Sequence, residues 1–284
     1  MSFDAEAYRE SSLSGWEDAS AGWIRHREEL RRWGEEVSQA LVEAVAPQPG
    51  ERVLELAAGL GDTGLLAAEL VAPVGGVVIS DQAEGMVEGA RARAAELGVA
   101  NAEFRVLNAE WIDLPLASVD VVLCRYGFML MADPGAALGE ARRVLRSGGR
   151  IGLAVWDRIE ANPWAGVPGK VLAEHGLVGG PGAGEGPGPF TLGDEDAVRE
   201  LLAGAGFAEV EIHPVEMLRR HRDFDQFWDL TLDLSRSFHD AVMAQGEAEI
   251  GRIRSELQRQ TEPFTASDGS IALPSRTLVA RAEA

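Results

Sequence analysis

The residues best placed to do chemistry lie in one short stretch and at one point beyond it. Residues 53–64 read Val-Leu-Glu-Leu-Ala-Ala-Gly-Leu-Gly-Asp-Thr-Gly, and Asp81 closes the next apolar run, Val77-Val78-Ile79-Ser80. Gly59, Gly61 and Gly64 make a turn where backbone can approach a ligand without Cβ clashes. A helix beginning near Thr63 offers unpaired N–H groups at its start. Asp81 follows Gly61 by about twenty residues, the interval at which a carboxylate meets the two hydroxyls of a ribose. Together these residues specify a site for an adenosine-containing cofactor. Gly59-Leu60-Gly61-Asp62-Thr63-Gly64 matches the dinucleotide fingerprint literally, and alone that is a weak signal. Glu55 argues against a dinucleotide. It sits inside the first strand, four residues before Gly59. A buried acid there needs a partner, which a cationic ligand group or an ordered water supplies, and it repels a pyrophosphate.

Strands must carry these residues. Val53, Leu54 and Leu56 predict a buried parallel strand, and the run ending at Asp81 a second. Leu-Asn-Ala-Glu-Trp at 107–111 ends a third, and residues 119–125 make a fourth. A helix carrying Ala136, Ala137, Leu138, Ala141, Val144 and Leu145 stops at Ser147-Gly148-Gly149, and residues 150–156 form a fifth strand. Residues 207–213 alternate with period two as a sixth, and 270–280 hold the last.

This motif set resembles the class I S-adenosylmethionine-dependent methyltransferases, in the small-molecule branch similar to the ubiquinone/menaquinone C-methyltransferases. The resemblance is strong over about residues 45–157 and loose in the flanks. It implies a Rossmann-like α/β fold with a seven-stranded, mostly parallel sheet and helices on both faces; N-terminal lid helices and, where the family often has a hairpin, a helical cap before the last strand are read from the flanks. The implied spans are 1–45 for the lid, 46–217 for the cofactor-binding core, 218–268 for the cap and 269–284 for the last strand. Ala57 replaces the first glycine of the family's acidic-x-Gly-x-Gly-x-Gly, adding a methyl near the methionine moiety. By resemblance Glu55 meets the ammonium of S-adenosylmethionine through water, and Asp81 takes the ribose hydroxyls beside Gly59 and Gly61. Gln82 and Met86 line the ribose and adenine. Asn108 accepts from the adenine amino group where the family often has Asp, Ala109 offers its N–H to a ring nitrogen, and Glu110 belongs to the same loop. Cys124 and Arg125 fall where the fourth strand meets substrate and the activated methyl. The product is S-adenosylhomocysteine.

Composition narrows the classes. The 284 residues are 46% hydrophobic, enough for a core under one large α/β domain with an accessory layer. No apolar run approaches the ~18 residues of a membrane helix, and Met1–Glu10 is unlike a signal peptide. The single cysteine, Cys124, excludes an internal disulfide and a cysteine-based zinc site. These points predict a cytoplasmic enzyme. Twenty-six basic against 46 acidic residues give a formal charge of −20, which opposes nucleic-acid binding. Gly169-Lys170-Val171 lacks the Ser or Thr of a P-loop.

The flanks speak to the acceptor. Trp16, Trp23, Ile24, Leu30 and Trp33 recur at near-helical spacing over residues 5–45, as a helix packed on the sheet or as a lid in which Tyr8, Trp16 or Trp23 covers the cofactor. The Gly/Pro-rich stretch Gly179–Pro189 is a surface connection or, less favoured, a gate. Phe224, Phe227, Trp228, Leu230, Leu232, Leu234 and Phe238, continued by Ile250, Ile253 and Leu257, give the helical insertion an apolar face, for capping a small acceptor or for a dimer; monomer and homodimer both stand. Trp111 stacks near the adenine or packs in the core, where Met129, Met131 and Cys124 also belong. Methyl transfer needs in-line positioning and dryness more than functional groups. Should the acceptor need a base, His221 leads and His26 follows, ahead of His175, His213, His239, Tyr8 and Tyr126. No His, Asp and Glu cluster has metal-ligand spacing. The expected reaction is methyl transfer to a small, largely apolar acceptor, on oxygen first, then carbon or nitrogen. The alternatives are an NAD(P)-dependent oxidoreductase, for which Tyr126 lacks a partner lysine four residues on, and a catalytically silent cofactor-binding module.

Overall fold

The apolar runs of Arg52–Glu55, Gly76–Asp81, Val119–Arg125 and residues 150–156 are buried and pair in parallel, with the half-exposed Ala102–Val106 added at the edge. The computed structural model describes residues 3–177 and 186–284, so most of the Gly179–Pro189 stretch, with its gate reading, lies outside the described residues. In chain order the elements are α1 (Ala5–Arg25), α2 (Arg27–Val45), β1 (Arg52–Glu55), α3 (Asp62–Val71), β2 (Gly76–Asp81), α4 (Glu84–Leu97), β3 (Ala102–Val106), β4 (Val119–Arg125), α5 (Pro134–Val144), β5 (Leu145–Trp156), α6 (Pro163–Glu174), α7 (Glu195–Gly204), β6 (Ala208–His221), α8 (Phe224–Leu234), α9 (Arg236–Met243), α10 (Glu247–Thr261) and β7 (Ile271–Glu283). The sheet runs β3-β2-β1-β4-β5-β7-β6. β1 pairs in parallel with β2 and β4, while β7 runs antiparallel to both β5 and β6. This is the seven-stranded, mostly parallel sheet expected. The order reverses at β1 and β4, so their carboxyl ends open the crevice where α/β folds bind ligands.

Two expectations need correcting. The sixth strand does not stop at His213 but continues to His221, so residues 218–221, expected in the cap, belong to the sheet. Pro214 does not break it because β6 is an edge strand, where a missing N–H costs no second ladder bond. The fifth strand begins at Leu145, and Ser147-Gly148-Gly149 lies inside it, with Gly148 at φ 73°.

The flanking helices differ in kind. α2 buries Trp33, Val37, Leu41, Val42 and Val45 against the sheet. α1 buries no residue fully and lies over the rim. The apolar face of α8–α10 is consumed within the chain: Phe224, Phe227, Trp228, Phe238, Val242, Ile253 and Leu257 pack on Val171 and Leu172 of α6 and on Ile271 and Leu273 of β7.

Candidate active site

The turn after β1 is built by backbone conformation. Ala57, Gly59 and Gly61 hold φ at 49°, 54° and 79°, and Gly61 caps α3. Glu55 ends β1 only 1% exposed, and its Oε2 has no hydrogen-bond partner. Burial pushes its pKa up to about 8, with Arg125 as the main opposing charge. Gly64 lies flat against this carboxylate, where any Cβ would collide. Asp81, 9% exposed, takes the Gly59 N–H on Oδ2 at 2.8 Å and the Ala83 N–H on Oδ1 at 3.0 Å. A carboxylate offers about four acceptor positions, so roughly two remain for a diol. Burial raises its pKa also, against the hydrogen bonds from Ala83 and Gly59.

α1 crosses this turn. Trp16 and Trp23 pack edge to face, 5.4 Å apart, on Leu60, Ala83 and Met86, and the Trp23 ring lies where a Gly59 Cβ would touch it. Gln82 donates to Ser12 Oγ at 3.2 Å. The Glu17 carboxylate accepts the N–H groups of Glu84 and Gly85, supplying from α1 the cap that α4 lacks. Tyr8 Oη donates to the Leu130 carbonyl at 2.9 Å. Glu110 accepts from Arg9 at 2.6 Å and from the Ala132 N–H at 2.9 Å, so it latches α1 onto the loop after β4. Asn108 Oδ1 is turned onto the Glu110 N–H at 2.8 Å, and Ala109 packs partly on the core. Trp111 is 79% exposed and neither stacks nor packs in the core.

Beyond the turn lies a cluster of packed aromatic rings, the aromatic chamber of this site. Arg125, at the end of β4, reaches Asp62 at 3.3 Å. The next residue, Tyr126, is held at φ 64° with its ring stacked 4.0 Å from Trp156, and it shares a 2.8 Å hydrogen bond with Thr277. The Arg219 guanidinium carbon sits 3.8, 4.9 and 5.2 Å from the ring centres of Trp164, Trp156 and Trp33. His221 lies 5.1 Å from both Trp33 and Phe227, and neither ring nitrogen has a partner. Burial, then the Arg219 charge, takes its pKa down to about 4. Cys124 is fully buried with its thiol pushed up to about 12, an apolar filler. His26 is elsewhere: it bonds Asp233 of α8 at 2.7 Å on the surface, beside Arg25. Its expected role as a base is therefore corrected to a tie between the α1–α2 junction and α8. His175 pairs with Glu249, His239 with Asp240, and His213 is exposed. Among the described residues no group of three His, Cys, Asp or Glu is arranged to hold a metal, and no helix is long and apolar enough to cross a membrane.

Known proteins share these features. Residues 47–166 match the family described as Methyltransferase domain. The nocamycin O-methyltransferase of Saccharothrix syringae is 35% identical over 191 residues, 62% of this chain and 66% of that protein. The ubiquinone/menaquinone biosynthesis C-methyltransferase UbiE of Xanthomonas campestris is 37% identical over 116 residues, 40% of this chain and 46% of that protein. Residues 47–166 of this chain carry a methyltransferase domain. The crystal structure of the Bacillus subtilis YcgJ protein shares the methyltransferase's fold at a TM-score of 0.58 with 17% identity, covering 87% of this chain and 97% of that one. The matches span about half to two thirds of the curated relatives' lengths.

The residues of the methyltransferase fit its cofactor. The orphaned Glu55 oxygen suits an ammonium, the positive-φ turn admits a close ligand, and Asp81 has acceptor capacity to spare. Sequence reasoning missed Arg219 and the union of Trp33, Trp156 and Trp164. The signal was the period-two face Met217, Arg219, His221, which continues the strand past Pro214.

Proposed function

We propose that this methyltransferase moves a methyl group to a small, largely apolar acceptor by in-line displacement, on oxygen first, carbon or nitrogen next. Glu55 carries the reading: a buried carboxylate with an unpartnered oxygen beside the glycine turn favours an ammonium and disfavours a pyrophosphate. S-adenosylmethionine, when bound, supplies an electrophilic methyl on a sulfonium. Glu55 would take its ammonium, Asp81 its ribose, and Gln82, Met86, Asn108 and Ala109 the region of the adenine. Trp16, Trp23 and the Glu110–Arg9 latch keep water out. His221 is uncharged at neutral pH and faces the aromatic chamber, so it is the base where the acceptor must lose a proton. The names of the relatives support small acceptors and differ in the atom methylated. We also place the protein in the cytoplasm and away from nucleic acid, on its one buried cysteine and its charge of −20.

Calorimetric titration with S-adenosylhomocysteine and, in parallel, NADH tests this. Micromolar binding of the first alone is expected. Asp81→Ala should weaken it by about 1.5–3 kcal/mol, the loss of a hydrogen bond to a charged group. Binding of NADH alone would return Gly59–Gly64 to a dinucleotide loop. Cofactor binding without methyl transfer to any phenol, quinone, amine or carboxylate would favour a silent module.

A further inference from the structure

Arg219 is the unexplained residue of the aromatic chamber. Its Nε has no access to solvent and no hydrogen-bond partner. Among the described residues it enters none of the ion pairs that engage Arg9, Arg125, Arg150 and most other arginines of this chain. Three indole faces surround it. Cation–π contacts offset part of the cost of burying a guanidinium, but they leave its Nε–H unmet. His221 stands in the same chamber, 5% exposed, with both ring nitrogens unmet. Charge alone does not account for the pairing, since each cation would repel the other. Burial holds His221 neutral and pulls the Arg219 pKa down to about 10, so both groups would gain from an anion.

The chamber adjoins the cofactor turn. Trp33 precedes Gly34, whose Cα lies against the Arg125 guanidinium, and Arg125 pairs with Asp62 at the start of α3. Tyr126 then carries the wall to Trp156. A molecule lying on these rings is therefore next to the carboxyl ends of β1 and β4, the reacting side of the fold.

We propose that the acceptor is a planar, apolar carboxylate: its ionised oxygens lie on the Arg219 fork within reach of His221, and its ring body lies against Trp33 and Trp164. A guanidinium matches a carboxylate in two parallel hydrogen bonds, and the caging rings fix the plane of that fork. This names the substrate class of the reaction proposed above and rests on that reading.

The test uses the full chain, 1-naphthoate, and its neutral isostere 1-naphthamide, titrated calorimetrically with and without saturating S-adenosylhomocysteine. Naphthoate should bind one to one and at least tenfold more tightly than naphthamide. Arg219→Met should remove that preference and leave naphthamide binding unchanged, and Arg219→Lys, which keeps charge and loses the fork, should retain part of it. A purely structural Arg219 would shift both probes equally, and that result overturns the proposal. So does equal or absent binding of the two probes to the wild-type protein, a result that needs no variant to fold. Failure of S-adenosylhomocysteine to bind would instead sink the methyltransferase reading, while the naphthoate preference, read without cofactor, still decides the carboxylate site.

Discussion

Ala57 holds φ at 49° at the position where a glycine is usual in this motif. An L-residue with a Cβ meets its own carbonyl there, at a cost of roughly 1–2 kcal/mol. The methyl lies close to Gly127, at the foot of the aromatic chamber. Strain and packing oppose each other, and strain prevails because one buried methyl is worth only about 0.8 kcal/mol. Ala57→Gly should therefore stabilise the protein by roughly 0.5–1 kcal/mol in urea unfolding. Equal or lower stability would show that the methyl is held by contacts that outweigh the backbone strain. Tyr126 bears the same kind of strain at φ 64°, and there the stacking on Trp156 and the bond to Thr277 hold it in place.

Among the α-helices of the described residues, α1 is the one anchored at separate points and not by a buried face. It buries no residue fully and is fixed at separate points by Tyr8, Arg9, Ser12 and Glu17. Such an element opens more easily than the sheet beneath it. Glu110→Gln keeps an acceptor for the Ala132 N–H and removes the ion pair with Arg9. Arg9 is 41% exposed, so screening limits the pair to at most about 1 kcal/mol. The variant should release S-adenosylhomocysteine about threefold to fivefold faster in stopped-flow displacement, with global stability unchanged within ~0.5 kcal/mol. An unchanged off-rate would mean that α1 does not gate the cofactor. β1, β2, β4 and the glycine turn were legible because buried parallel strands write apolar runs and because Gly59, Gly61 and Asp81 must be those types. The end of β6 was not, since Pro214 and the charges at Arg219, Arg220 and Arg222 imitate a loop, and only its place at the sheet edge makes them tolerable. The chamber was not legible either. Trp33, Tyr126, Trp156, Trp164 and Arg219 come from widely separated segments that only tertiary packing brings together.

At the scale of the molecule, two buried groups set how stability follows pH. Glu55 titrates near 8 in the folded chain against 4.5 unfolded, so between those values the native state holds a proton that the unfolded chain has lost. Its contribution is complete below pH 4.5 and disappears as pH rises through 8. His221 titrates near 4 against 6.5, so the native state refuses a proton that the unfolded chain accepts. Its contribution is present above 6.5 and disappears as pH falls through 4. Between about 4.5 and 6.5 the two slopes oppose and largely cancel. Above 6.5 that of Glu55 remains, and Asp81, whose pKa burial also raises, and the self-repulsion of a chain with charge −20 act in the same direction. Stability of the ligand-free protein should therefore fall by about 2 kcal/mol from pH 6.5 to 8, at about 1.4 kcal/mol per unit. Urea unfolding across that range measures it. Glu55→Gln should flatten the slope, leaving only the part due to Asp81 and net charge. Saturation with S-adenosylhomocysteine should do the same in the wild-type protein, because an ammonium beside Glu55 favours its ionised form and lowers its pKa. Parallel slopes for wild type and Glu55→Gln would mean that Glu55 is already ionised in the ligand-free fold, and that its unpartnered oxygen is satisfied by something other than the cofactor.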